Sequence, residues 1–250
     1  MRNKKRIVIV GATSTIAEHC ARLWVDDQQV HLILVGRDVR RVERIAADLK
    51  VRSPLSEFEI VEADFITPEA ITATVESIME TNAVDVVLIA HGSLSEQNKC
   101  QDELTECCNA LYVNGISPIL FTEAFAKTME KSGHGTIAII GSVAGDRGRK
   151  SNYIYGAAKG LVARYAQGLQ HRFADSGVNI ILIKPGPTAT RMTADLKVIG
   201  AKLAPVESVA KQIVIGIQKR QSIIYAPRKW ALIMFIIKHL PEFVFNKMNV

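Results

Sequence analysis

Arg6-Ile7-Val8-Ile9-Val10, followed at once by Gly11-Ala12-Thr13-Ser14-Thr15-Ile16-Ala17, is a β-branched run that stops at a glycine and passes through small hydroxyl residues into a segment of helical period. A strand, a tight turn and a helix make the opening step of a parallel sheet, because parallel neighbours need a helical crossover between them. The step recurs along the chain. Strands are predicted over Arg6–Val10, Val30–Val35, Phe58–Val61, Val84–Ala90, Thr136–Ile140, Val178–Lys184 and Ile223–Ala226. Helices are predicted over Ile16–Asp27, Val39–Val51, Pro68–Thr81, Asp102–Lys131, Tyr153–Ser176 and Pro205–Lys219. Apolar strands alternating with helices give an α/β fold, a single doubly wound domain whose seven-stranded parallel sheet carries helices on both faces. No linker, repeat or low-complexity tract interrupts the alternation, so the domain is expected over 1–227, with an apolar and basic extension at 228–250 packed on it.

A chain of 250 residues with 48% hydrophobic and 22% charged content can bury one large core and does not read as disordered. The apolar run at the N-terminus ends at Gly11, too soon for a signal-peptide core, so a cytoplasmic protein is expected. Cys20, Cys100, Cys107 and Cys108 form no CxxC pair and have no histidine at ligand spacing, so no metal site is expected. The formal charge is +6, but the basic residues are scattered without interleaved aromatics, which argues against nucleic acid. Charge concentrates in the tail: Lys219, Arg220, Arg228, Lys229, Lys238 and Lys247 face the single acid Glu242.

Ligands of such sheets bind beyond the carboxyl ends of the strands. The turn Gly11, Thr13, Ser14, Thr15 and Ile16 presents free backbone N–H groups and a helix N-terminus, which suits a pyrophosphate. Thr15 and Ala17 stand where a dinucleotide fingerprint has its second and third glycines, so an ordinary strand-to-helix turn stays open as the other reading. The second strand ends Gly36-Arg37, with a cation where an acid would repel a ribose 2′-phosphate, so NADP(H) is favoured over NAD(H). Asp64, closing the third strand, is read either as an acceptor for an adenine amino group or as a cap of the next helix.

Tyr155 and Lys159 are four residues apart, which places both side chains on one helical face, and Ser142 in Ile140-Gly141-Ser142 closes the fifth strand. Tyr153 has only Ala157 at the same spacing. With Asn114 in Tyr112-Val113-Asn114-Gly115 and the segment Lys184-Pro185-Gly186-Pro187-Thr188-Ala189-Thr190, these motifs stand in the order found in the short-chain dehydrogenase/reductase family, which the chain resembles over nearly its whole length. The resemblance implies a Rossmann-type fold and a nicotinamide-dependent oxidoreductase moving a hydride to or from a carbonyl or alcohol carbon. By that resemblance Tyr155 is the acid/base and Ser142 steadies the carbonyl oxygen. Lys159 lowers the phenol pKa and binds the nicotinamide ribose, and Asn114 holds a water that relays protons to Lys159. Pro185, Gly186, Thr188 and Thr190 lie at the nicotinamide, and Arg191–Leu203 forms a lid. The family often has Asn-Asn-Ala-Gly after the fourth strand. This chain has Ile89-Ala90-His91-Gly92, so only the backbone of Ala90 and Gly92 is carried over to the cofactor, and His91 is read as packing or as a polar neighbour of the site.

Asp146-Arg147-Gly148-Arg149-Lys150 places three cations beside the reactive carbon, which suits an anionic group on the substrate or a solvated loop. Trp230–Ile237 is an apolar run too short to span a bilayer, flanked by Arg228, Lys229 and Lys238. It is read as a dimer-interface helix, an edge helix of the core, or an anchor at the inner face of a membrane. These departures make the chain similar to decaprenylphosphoryl ribose 2-keto reductases and related polysaccharide-biosynthesis enzymes, implying a keto-sugar on a lipid phosphate. A 3-ketoacyl or steroid-type reductase and a non-catalytic nucleotide-binding sensor are the alternatives. Relatives also imply a homo-oligomer formed through the two long helices.

Overall fold

The computed structural model describes residues 4–194 and 202–248. Its centre is a seven-stranded parallel sheet: β1 (Lys5–Val10), β2 (Val30–Gly36), β3 (Glu57–Glu62), β4 (Val86–Ile89), β5 (Gly135–Ile140), β6 (Val178–Pro185) and β7 (Ile223–Ala226). The order is β3-β2-β1-β4-β5-β6-β7. Ile9 sits between Leu34 of β2 and Leu88 of β4, and every pairing is parallel. The order reverses between β1 and β4, so a crevice opens beyond their carboxyl ends.

Side chains alternate across a strand, and both faces of this sheet are covered. Ile7, Ile9, Leu32, Leu34 and Leu88 pack against α1 (Thr15–Asp27), α2 (Val39–Arg52) and, through Val209, Ala210 and Ile213, the later helix over Val206–Gln218. Val8, Val10, Ile33, Val35 and Val87 pack against α3 (Pro68–Thr81) and, through Phe121, Phe125 and Val162, the helices beyond β4. The edge strand β3 instead carries Glu57, Glu59 and Glu62, charges that discourage pairing with another sheet.

The helix predicted over Asp102–Lys131 is broken. The chain forms α4 (Gln97–Asp102), α5 (Leu104–Leu111), a π-helical turn over Tyr112–Ile116, and α6 (Ser117–Ser132). Glu103, extended at φ −124 and ψ 104, separates α4 from α5. Pro118 has no N–H for the carbonyl of residue 114, so the regular ladder cannot run through this point and a wider turn takes its place. Gly115 lets that turn approach α7 (Tyr153–Arg172), since a Cβ there would lie 3.3 Å from the Ala158 carbonyl oxygen. α7 stops short of the predicted Ser176 because Ser176 closes a turn, its hydroxyl accepting from the Val178 N–H.

After α8 (Val206–Gln218) and β7 come α9 (Lys229–His239) and α10 (Glu242–Phe245). Met234 is buried, whereas Leu232, Phe235 and Phe243 are 67%, 62% and 71% exposed. Among the described residues no helix is long and apolar enough to cross a membrane.

Candidate active site

A cavity of about 450 Å³ opens at the carboxyl ends of β1, β2, β4, β5 and β6. At β1 the chain turns through Gly11 at φ +86, and a Cβ there would lie 2.6 Å from the His91 backbone nitrogen. Only glycine lets the first turn seat against the end of β4. Ser14 is the N-cap of α1, yet its side chain makes no capping bond, so its hydroxyl is free towards the cavity that Thr13, Ser14, Thr15 and Ile16 line. These are the features an anionic phosphate needs: close backbone approach, hydroxyl donors and the positive end of a helix.

Beyond β2 the cavity is lined by Arg37 and Arg41. Asp38 also lines it, but its carboxylate accepts from the Arg41 N–H at 3.1 Å and caps α2. Two cations and an engaged acid make this end suitable for a phosphate. Asp64 is not part of the cavity wall. Its carboxylate turns back to accept from the Ile66 N–H at 2.8 Å and from the Thr67 hydroxyl, and those bonds hold its pKa below the ordinary value. Of the two readings of Asp64, these bonds favour the local one, since its acceptors serve its own loop ahead of α3.

Ser142, Tyr155, Lys159 and Asn114 all line the cavity. α7 presents Tyr155 and Lys159 one turn apart, with the Lys159 Nζ 5.8 Å from the centre of the Tyr155 ring. Lys159 is 3% exposed, donates to the Ile140 carbonyl at 3.1 Å, and is pushed down to about 8 by burial. Burial raises the Tyr155 phenol, and the Ser142 hydroxyl pulls it the other way. Tyr155 thus rests as a protonated phenol. Asn114, in the π turn, is fully buried, its carbonyl oxygen accepting from the Ser93 N–H and its amide donating to the Ala110 carbonyl, each at 2.9 Å. A Cβ on Gly92 would lie 2.9 Å from the Asn114 oxygen and 3.6 Å from the Lys159 Nζ, so a side chain here would block the space between them.

Ala90, Gly92, Pro185, Gly186, Thr188 and Thr190 also line the cavity. The Thr188 hydroxyl donates to the Gly186 carbonyl at 2.8 Å, and Gly186 is needed because a Cβ there would overlap the Trp230 indole at 2.0 Å. Arg191, Met192 and Thr193 of the expected lid also face the cavity, while residues 195–201 lie outside the described residues.

Residues 5–198 match the short chain dehydrogenase family. The chain belongs to that family. Over 250 residues it is 24% identical to an uncharacterised oxidoreductase of Streptomyces coelicolor, covering 98% of this chain and 96% of the relative. Its structure is similar to a short-chain dehydrogenase from Sphingobium yanoikuyae solved in complex with NADPH, at TM-score 0.80 and 23% identity, covering 95% and 97% of the two chains. It is also similar to a 3-oxoacyl-[acyl-carrier protein] reductase from Brucella melitensis solved with NAD, at TM-score 0.78 and 18% identity over 90% and 96%. The structural likenesses establish the fold.

In this short-chain dehydrogenase the loop after Ser142 differs from its sequence reading. Arg147 is not part of the cavity wall: its Nη1 donates to the carbonyls of Ile237 and Leu240 at 2.5 and 2.6 Å, and its guanidinium lies 4.0 Å from the Phe245 ring centre. It closes the C-terminal end of α9, where carbonyls lack intrahelical partners. Lys150 is exposed and lies off the cavity wall, leaving Arg149 as the loop cation that lines it. His91 also lines the cavity. Its Nε2 is 2.9 Å from the Ser117 hydroxyl, its ring packs edge-on to Phe65, and burial pushes it down to about 3. The ring is therefore neutral at physiological pH, one nitrogen lying at Ser117 and the other, Nδ1, buried without a partner among the described residues. Sequence reasoning missed Arg41, whose signal was its place one turn beyond Arg37 at the start of α2.

Proposed function

We propose that this chain is an NADP(H)-dependent reductase that converts a ketone to a secondary alcohol, with Tyr155 as the proton donor. The observation that carries the reading is that the Tyr155 phenol, the Ser142 hydroxyl and the buried Lys159 side chain line one cavity with a helix N-terminus suited to phosphate. The fit to a nicotinamide dinucleotide rests on Gly11, the uncapped Ser14 and the small residues Gly92 and Gly186. Arg37 and Arg41 favour the 2′-phosphorylated form, in keeping with the NADPH complex of the Sphingobium protein, although the Brucella protein was solved with NAD. When bound, the cofactor supplies the hydride.

The protein does the rest. Ser142 donates a hydrogen bond to the ketone oxygen as negative charge develops there. Tyr155 passes its proton to that oxygen, leaving a phenolate that the Lys159 ammonium stabilises. Asn114 pins the backbone at Ser93 and keeps the space over Gly92 open beside Lys159. We infer further that the ketone is a keto-sugar carried on a lipid phosphate. This is supported by α9, whose Trp230 packs at the cavity rim through Gly186 while its outer face stays apolar between basic flanks. A membrane-facing site on the cytoplasmic side follows from this reading. The test is a ketone panel spanning 3-ketoacyl, steroid and keto-sugar substrates with NADPH deuterated at the nicotinamide C4. Deuterium on a carbinol carbon is expected, and no alcohol from any member would overturn the reading.

A further inference from the structure

Arg149 and Asn152 share the cavity wall with Ser142 and Tyr155. Among the described residues, the Arg149 Nε is buried without a hydrogen-bond partner, and its Nη2 meets only the Met234 sulfur at 3.5 Å, a weak acceptor. The acid whose charge acts on Arg149 is Asp146, yet one Asp146 oxygen is bound by the buried Lys184 ammonium and the other accepts from the Tyr225 hydroxyl at 2.8 Å. A guanidinium cannot shed its proton, and a half-buried one facing a cavity without an anion is costly unless a ligand completes it. Burial accordingly pushes Arg149 below its usual value. Asn152, three residues ahead of Tyr155, has its side-chain oxygen buried without a partner and does not cap α7. One wall therefore carries, beside the proton donor, a guanidinium and a side-chain amide whose hydrogen-bonding capacity is only partly used within the described residues.

We propose that Arg149 and Asn152 recognise the substrate, Arg149 binding a phosphate or carboxylate group and Asn152 a hydroxyl, so that the ketone is anionic and hydroxylated. The proposal deepens the reductase reading and rests on it for the identity of the reacting group. It assigns specificity to one arginine of a loop that carries two, because Arg147 is engaged by the tail. The same anion could belong to a free sugar phosphate or to a lipid-linked one.

The experiment uses the full chain saturated with NADP+, so that the cofactor's phosphate sites are filled, and measures binding of ribulose 5-phosphate and of ribulose by calorimetry. Wild type is expected to bind the phosphorylated sugar at least about tenfold tighter, the scale of a charge-assisted hydrogen bond. Arg149→Met should reduce that preference to below about threefold, Arg149→Lys should keep part of it, and both should bind ribulose and NADP+ as wild type does. Asn152→Ala should weaken both sugars alike. No preference in wild type, or a preference intact in both Arg149 variants, would overturn the proposal. If Arg149→Met loses NADP+ binding, Arg149→Lys decides the comparison. Selective binding without NADPH turnover would refute the reductase reading and leave the assignment of Arg149 standing. Competition by a polyprenyl-phosphate-linked ketose in phosphatidylcholine vesicles, absent with empty vesicles, would identify a lipid source, and competition only by the free sugar phosphate a soluble one.

Discussion

A phenol with an ordinary pKa near 10 is a poor partner for a base near neutrality, but as an acid it needs only a field that accepts the phenolate it leaves behind. Lys159 provides that field while it is charged, and burial brings its pKa to about 8. Because that value is depressed, the ammonium is present below about pH 8 and lost above it. The reductive kcat/KM should therefore fall as pH rises through about 8, and Lys159→Met should lower the rate and remove that inflection. At the other end of the cavity, Arg37→Ala with Arg41→Ala should raise the KM for NADPH about tenfold or more while leaving NADH nearly unchanged, as loss of charge-assisted bonds to one phosphate requires. Tyr155, Lys159 and Ser142 were legible because helical period and strand ends are local properties. Asp64 was legible only as a choice between two roles, because its position at a strand end does not say whether its carboxylate faces a ligand or folds back onto Ile66 and Thr67.

Among the elements, the turns fixed by glycine are the most demanding. A Gly11→Ala side chain would meet His91 at 2.6 Å in a backbone region costing about 1–2 kcal/mol for an L residue. The variant should melt several degrees lower and lose NADPH binding, read by thermal unfolding and by cofactor fluorescence. The alternation of strands and helices was legible because apolar β-branched runs and helical periods differ along the whole chain. The break between α5 and α6 was not. A π turn of five residues is too short to change the apolar period of the helices around it, and Pro118 was the local mark of the change. That break matters because it is what turns Asn114 inward.

Over the whole molecule, the crevice at the β1/β4 reversal and the C-terminal helices meet at the loop 146–150. Arg147 reaches from that loop to the end of α9, a contact between residues some ninety apart that no local pattern announces. Arg147→Ala should free the tail, so that limited proteolysis within 229–248 becomes faster while NADPH binding is retained. Proton transfer by Tyr155 in an intact cofactor site is the step on which the proposed reduction depends. Its most direct test is NADPH oxidation with a reducible ketone, measured for wild type and Tyr155→Phe, with the NADPH Kd of each taken from the same preparations. The predicted result is a loss of about a thousandfold in kcat at an unchanged Kd. A Tyr155→Phe enzyme that keeps wild-type turnover would contradict it.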